Sequence, residues 1–245
     1  MPKSIFITGG TSGIGLATAK RFKDAGYRVA ISGRNEEVLA KYKDEYSVYK
    51  AEVTNLDEIK AAIFDFAKDG LDIVFANAGI GYEHKSKRPN FQRAREIIDV
   101  NINGVLNTFE GAAEIFYKQG HGHLVATASI AGLNGLPGVP AYSGSKSAII
   151  KICESLRMDL EESNIAVTCV NPGFIDTPLT KKNPHSMPFL ATPEALADAI
   201  FSGVLNRKPN IYYPRFFSFL VIFLSILPRR IYRKIITRRS LNYSK

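Results

Sequence analysis

The sequence predicts an α/β fold: a doubly wound parallel sheet in one domain over residues 1–214, followed by an apolar and then basic extension over 215–245. Three observations predict it. Short β-rich runs alternate with longer helix-patterned segments, and that succession calls for a parallel sheet with right-handed crossovers. Several strand candidates are continuous apolar runs rather than alternating ones, the pattern of strands covered by helices on both faces. No internal repeat or Ser/Gly linker divides the 245 residues, a length that one core can serve.

The first strand candidate, 4–8, runs into Thr8-Gly9-Gly10-Thr11-Ser12-Gly13-Ile14-Gly15. A helix follows at once over 14–25, with Leu16, Ala19 and Phe22 on a stripe that Lys20 interrupts. Small residues let such a turn pass close to a pyrophosphate, and the helix N-terminus offers free N–H groups and a positive dipole end. A glycine-rich turn placed between a strand and a helix marks a dinucleotide site. The spacing here is Gly9, Gly13, Gly15, looser than G-x-G-x-x-G, and the candidate contacts are Gly9, Thr11, Ser12, Gly13, Ile14 and Gly15.

The second strand, 28–32, ends in Ser32-Gly33-Arg34. NAD-binding sheets carry a carboxylate near this point for the ribose 2′-OH; its absence, together with an arginine fork able to pair with a 2′-phosphate, favours NADP. Further strands are expected at 48–53, 73–77, 122–129, 166–171 and 211–213. The helix near Pro193 has a clear start, with Thr192 as N-cap and Pro193 at the first helical position.

Two places carry acid–base chemistry. Tyr142-Ser143-Gly144-Ser145-Lys146 sets a phenol and an ammonium one helical turn apart, an arrangement that favours the phenolate and lowers the tyrosine pKa. Thirteen residues upstream, Ser129 closes a strand, where its hydroxyl can hold a carbonyl oxygen. Asn77-Ala78-Gly79 ends another strand. Asn101, in a helical stretch, needs a hydrogen-bond partner whether it serves the reaction or only bends the helix.

In motif identity and in order, residues 4–214 resemble the short-chain dehydrogenase/reductase family, whose fold is Rossmann-like. The matching pieces are the turn at Thr8–Gly15, Asn77-Ala78-Gly79, Asn101, Ser129, Tyr142 with Lys146, and Pro172-Gly173 followed by Thr177. The resemblance implies an NADP(H)-dependent oxidoreductase acting on a ketone or aldehyde, or on the alcohol in reverse. Tyr142 would be the proton donor, and Lys146 would hold the nicotinamide ribose and depress the tyrosine pKa. Ser129 would position the substrate oxygen, and Asn101 would anchor a water-linked proton path to Lys146. Pro172, Gly173, Ile175 and Thr177 would fix the nicotinamide carboxamide, and Arg34 matches the position that marks NADP preference. Where the family has Asp-Val against the adenine, this chain has Glu52-Val53. Family members are usually dimers or tetramers, so a homo-oligomer is expected. A catalytically idle nucleotide-binding scaffold, working through its tail, is the alternative that the intact Tyr142/Lys146 pair argues against.

Composition narrows the rest. At 45% hydrophobic and 22% charged residues the chain is neither disordered nor low-complexity. Cys153 and Cys169 are too few for a disulfide framework or a zinc site, and two buried thiols in a reducing compartment are expected. No signal-like run precedes the first strand, which points to the cytoplasm.

The net charge of +9 is concentrated in the tail: eight Lys and Arg lie from Arg215 to Lys245 with no acid among them, leaving +1 on residues 1–214. Residues 216–227 are nearly all apolar, yet about 18 Å of helix is too short for a hydrocarbon core of about 30 Å. Beyond Pro228, Ile231, Ile235 and Ile236 share a helix stripe among the basic pairs Arg229/Arg230, Arg233/Lys234 and Arg238/Arg239. That pattern suits a segment lying on an anionic membrane over 216–239; burial on a neighbouring subunit or a roof over the active site explains the same apolarity. Nucleic acid is disfavoured, because no recognition motif accompanies the charge. The apolar tail, with Phe174, Met187, Phe189 and Leu190, points to a lipophilic substrate. In the same loop Lys181, Lys182 and His185 either meet an anionic group or face water.

Overall fold

A computed structural model describes residues 2–81, 90–182 and 187–240, with no side-chain description for Lys182 or 237–240. His185, Arg238, Arg239 and Lys245 therefore lie wholly or in their side chains outside the described part.

Seven strands form one sheet: β1 (Ser4–Thr8), β2 (Arg28–Gly33), β3 (Ser47–Lys50), β4 (Ile73–Ala76), β5 (Gly122–Thr127), β6 (Ile165–Pro172) and β7 (Asn210–Tyr213). Their order is β3-β2-β1-β4-β5-β6-β7, and every pair is parallel. The helices are α1 (Gly13–Asp24), α2 (Glu36–Ala40), α3 (Leu56–Phe66), α4 (Phe91–Ile98), α5 (Gly104–Gln119), α6 (Pro140–Asp159), α7 (Pro193–Leu205), α8 (Arg215–Ser225) and α9 (Arg229–Ser240). Strand order reverses between β1 and β4, which opens a crevice at the carboxyl ends of the strands.

The continuous apolar runs have the reason expected of them. In β1, Phe6 joins a core with Val74, Leu124, Phe116 and Ile149 on one face, while Ile5 and Ile7 join Phe22, Phe75 and Leu196 on the other. Helices α3, α5 and α6 cover the first face, and α1 and α7 the second. In α1 the buried stripe is Gly15, Thr18, Ala19 and Phe22, so Thr18 takes the place beside the core and Lys20 turns outward to pair with Asp24 at 2.8 Å. Thr192 caps α7 through the Ala195 N–H at 3.2 Å, as its sequence predicts.

Three strands stop short of their expected ends. β3 ends at Lys50, so Glu52-Val53 lies in the loop beyond it; β4 ends at Ala76, and β5 at Thr127. Ser129 is therefore an N-cap rather than a strand residue: its Oγ accepts the Ala131 N–H at 3.1 Å and starts a 3-10 turn at Ile130–Gly132.

Candidate active site

The crevice holds a cavity of about 300 Å³, and every expected catalytic or cofactor-binding residue lines it except Gly15 and Asn101; Phe174, Met187, Phe189 and Leu190, expected near the substrate, do not.

At one end the chain leaves β1 through Gly9 (φ +64°) and Gly13 (φ +53°), a backbone region that favours glycine. A Cβ on Gly9 would stand 2.8 Å from Ala78 Cα, and one on Gly15 would stand 2.3 Å from the Gly9 carbonyl oxygen. Gly15 thus packs behind the turn and lets it close. Ser12 is the extended N-cap of α1 but makes no side-chain cap, and no acid lies in the first turn, so the first N–H groups of α1 face the crevice uncapped. Asn77 braces the turn from β4: its Nδ2 donates to Thr8 O and Gly9 O, both at 3.2 Å, and its Oδ1 accepts from Thr127 Oγ1 at 3.1 Å. This cradle, whose turn closes only because Gly9 and Gly15 carry no Cβ, fits a pyrophosphate.

At the end of β2 the exposed Arg34 guanidinium lies 3.6 Å from the Glu52 carboxylate, and both residues line the cavity. Ser32 and Gly33 place no carboxylate there. The longer acid at position 52 therefore meets the arginine across the cavity rim.

The reactive end is set by α6. Tyr142 and Lys146 sit one turn apart on α6 and line the cavity together with Ser129. Ser129 Oγ donates to Pro172 O at 3.2 Å. Burial pushes the Tyr142 pKa above its ordinary 10, with the Ser129 hydroxyl pulling the other way. This corrects the expected lowering by the ammonium: Lys146 Nζ donates to Thr127 O at 2.7 Å and stays 5.8 Å from the ring centre of Tyr142. Burial brings Lys146 itself down to about 8.

Asn101 lies in a single π-helical turn, Asp99–Asn103, between α4 and α5. Fully buried, it accepts the Ile80 N–H at 2.8 Å and donates to Ile80 O at 3.0 Å and to Ser145 Oγ at 3.1 Å. It stands behind the wall and fixes the loop after β4.

Sequence reasoning missed Thr127, Leu179 and Thr180, which also line the cavity. Thr180 Oγ1 lies 3.2 Å from Thr177 Oγ1 and donates to Ile175 O at 2.5 Å, tying down the loop after β6. A threonine three residues beyond Thr177 was the available signal.

The extension folds back onto the site. Phe217 of α8 stacks on Phe174 and on Phe189, each with ring centres 5.6 Å apart, and a Cβ on Gly173 would come within 3.0 Å of the Phe217 ring. From α9, Arg229 donates to Asn134 Oδ1 at 2.9 Å and Tyr232 to Gly135 O at 3.1 Å. One face of the apolar run thus backs the site. No helix among the described residues is long and apolar enough to cross a membrane. Both cysteines are buried and free.

Comparison with known proteins agrees with this fold. Residues 3–188 match the family model described as short chain dehydrogenase. An oxidoreductase of Myxococcus xanthus is 34% identical over 224 residues, covering 86% of this chain and 87% of that protein. One of Mycobacterium tuberculosis is 31% identical over 248 residues, covering 95% and 96%. Among solved structures, a short chain dehydrogenase from Burkholderia cenocepacia in complex with NADP superposes with a TM-score of 0.85 at 20% identity, covering 96% of this chain and 98% of that one. A 3-ketoacyl-(acyl-carrier-protein) reductase from Brucella melitensis, complexed with NADH, gives 0.80 at 23% identity, covering 86% and 96%.

Proposed function

This chain belongs to the short chain dehydrogenase family and is an oxidoreductase, and from that premise we propose that it reduces a lipophilic ketone or aldehyde with NADPH. The observation that carries the reading is the placement of Tyr142, Ser129 and Lys146 on the wall of one cavity whose other end is the glycine cradle.

NADPH, when bound, supplies the hydride that adds to the carbonyl carbon. The residues of this chain do the rest. Ser129 turns its one hydroxyl proton from Pro172 O to the substrate oxygen and holds that oxygen against the Tyr142 hydroxyl, and Tyr142 gives its proton to it as negative charge develops there. The raised pKa of Tyr142 keeps the phenol protonated at neutral pH, the state a donor needs. One N–H of Lys146 is committed to Thr127 O, which leaves two for the nicotinamide ribose. Asn101 acts as a positioning residue, holding Ile80 on the cavity wall.

The Arg34 guanidinium at the end of β2, with no carboxylate on Ser32 or Gly33, supports NADP over NAD. Leu179, Ile80 and Val100 on the wall and the Phe174–Phe217–Phe189 stack beside it support an apolar substrate. Exposed Phe91, Ile98 and Leu106 on α4 and α5 support a homo-oligomer, and the two free buried thiols a cytoplasmic setting.

Calorimetric titration of the full chain with NADPH and then NADH tests the reading. Tight NADPH and weak NADH binding is expected. Preference for NADH would overturn the cofactor assignment, and well-folded protein that binds neither would overturn the reductase reading.

A further inference from the structure

The extension has two faces with different neighbours. Phe217 and Ser218 of α8 turn inward, Phe217 onto Gly173 and Phe174 and Ser218 fully buried. On the other side Phe216, Phe219, Leu220 and Phe223 are exposed, and Ile226 at the helix end is 73% exposed. At about 100° per residue these five cover roughly 120° of arc, one continuous apolar stripe. The stripe runs on to the rim of the active site: Phe216 meets Phe189 edge-on at 5.6 Å, and Phe189, Leu190 and Leu179 are themselves exposed. Leu179 lines the cavity.

Arg215 precedes the stripe in the chain and the exposed Arg229, Arg230 and Lys234 of α9 follow it, with no acidic residue anywhere in 215–245. That charge selects among occupants. A second copy docked on the same stripe by a two-fold axis would bring cation against cation with no acid in the tail to pair them. An anionic lipid surface takes up apolar side chains and neutralises the bases at the same level.

We propose that the exposed stripe of α8, flanked by the bases of α9, seats the protein on an anionic bilayer with the active-site mouth at the lipid surface. Because the inner face of α8 packs on Gly173 and Phe174 and α9 is tied to Asn134 and Gly135, the tail is a rigid part of the site and not a loose tether. Docking then sets Phe189 and Leu179 at the headgroup level. That a carbonyl substrate enters from the lipid along these side chains rests on the reductase reading; the docking itself rests on the tail alone.

The test is co-sedimentation of the full chain with vesicles of phosphatidylcholine alone and with about one third phosphatidylglycerol. Two double variants accompany it, Phe219→Asn with Phe223→Asn and Arg230→Glu with Lys234→Glu, each checked for an unchanged Tm and unchanged NADPH affinity. Partition onto the anionic vesicles at least about tenfold above the neutral ones is expected, with a loss of about tenfold or more in each variant. Failure to sediment with anionic vesicles, or partition that survives Phe219→Asn with Phe223→Asn, would overturn the proposal. So would a dimer that this same variant dissolves while the parent chain ignores vesicles, since the stripe would then be an interface between copies. Vesicle binding by a chain that takes no NADPH would uphold the surface and remove the reductase reading.

Discussion

Asn101 holds Ile80 by both of its backbone groups, accepting the N–H at 2.8 Å and donating to the carbonyl at 3.0 Å. An ordinary α-helical turn at this point would alter that reach; the π-helical turn at Asp99–Asn103 puts the amide where both groups meet it. Asn101→Ala removes three hydrogen bonds of a fully buried amide at once, those to Ile80 N–H, Ile80 O and Ser145 Oγ. A cost of about 3 kcal/mol follows, or a fall of roughly 6–12 °C in Tm, measured by calorimetry. Turnover should fall as well, because Ile80 lines the cavity.

The glycine cradle gives a graded prediction. Gly15→Ala drives a methyl to 2.3 Å from the Gly9 carbonyl and 2.6 Å from Asn77 Nδ2, so both the turn and its brace must shift. Gly26→Ala adds a methyl that meets nothing within 4 Å and carries only the penalty of φ +84°. NADPH titration of the two variants should show binding lost in Gly15→Ala, and kept within about threefold in Gly26→Ala, where any cost of about 1 kcal/mol falls on stability. Equal affinities would remove the cradle from the binding site.

Much of this arrangement was legible in the sequence because it rests on local rules. Continuous apolar runs mark strands covered on both faces, and the order of motifs brings Gly9, Asn77 and Ser129 to the carboxyl ends of their strands and Tyr142 to the helix that follows β5. Distances that depend on tertiary packing were not legible. The Tyr142–Lys146 spacing fixes a shared helix face, but the Thr127 carbonyl, on a strand from another part of the chain, is what turns the ammonium away from the phenol. Likewise, ten apolar residues interrupted only by Ser218 and Ser225 cannot say which side of α8 is buried. Gly173 decides that, by leaving room for Phe217.

Arg34 and Glu52 form an ion pair on the cavity rim, 3.6 Å apart. A 2′-phosphate would exchange that exposed ion pair, worth about 1 kcal/mol or less, for a charge-assisted fork. Arg34→Ala should therefore weaken NADPH at least about tenfold while leaving NADH within about threefold. Equal losses for the two nucleotides would remove Arg34 from the 2′-phosphate site.

Tyr142→Phe removes the proton donor and leaves the cradle and Lys146 in place. Turnover should drop by at least about 10²-fold, with NADPH affinity changed by no more than about twofold. Lys146 adds a pH signature to the parent chain. Its pKa near 8 means that the ammonium is lost as pH rises through that value. NADPH affinity should weaken above about pH 8, and Lys146→Met should be weaker throughout and flat across the same range. A parent chain whose affinity is flat from pH 7 to about pH 9 would show that Lys146 does not hold the nucleotide.

His123 supplies a prediction independent of the active site. It is buried in β5 with Nε2 2.7 Å from Thr168 Oγ1, and Thr168 in turn donates its one proton to Lys208 O at 2.7 Å. The hydroxyl is thereby an acceptor toward the ring, so the neutral imidazole carries its proton on Nε2. Burial first, and the Arg207 charge second, lower its pKa from 6.5 to about 4. The unfolded chain binds a proton between those values that the folded chain refuses, so stability is lost as pH falls from 6.5 toward 4. Full titration corresponds to about 3 kcal/mol. Urea unfolding at pH 7 and at about pH 4.5 should show this slope in the parent chain. His123→Gln should remove about 2–3 kcal/mol of the acid-induced loss, since its amide can donate to Thr168 without titrating. An unchanged acid slope in that variant would assign the loss to the carboxylates instead.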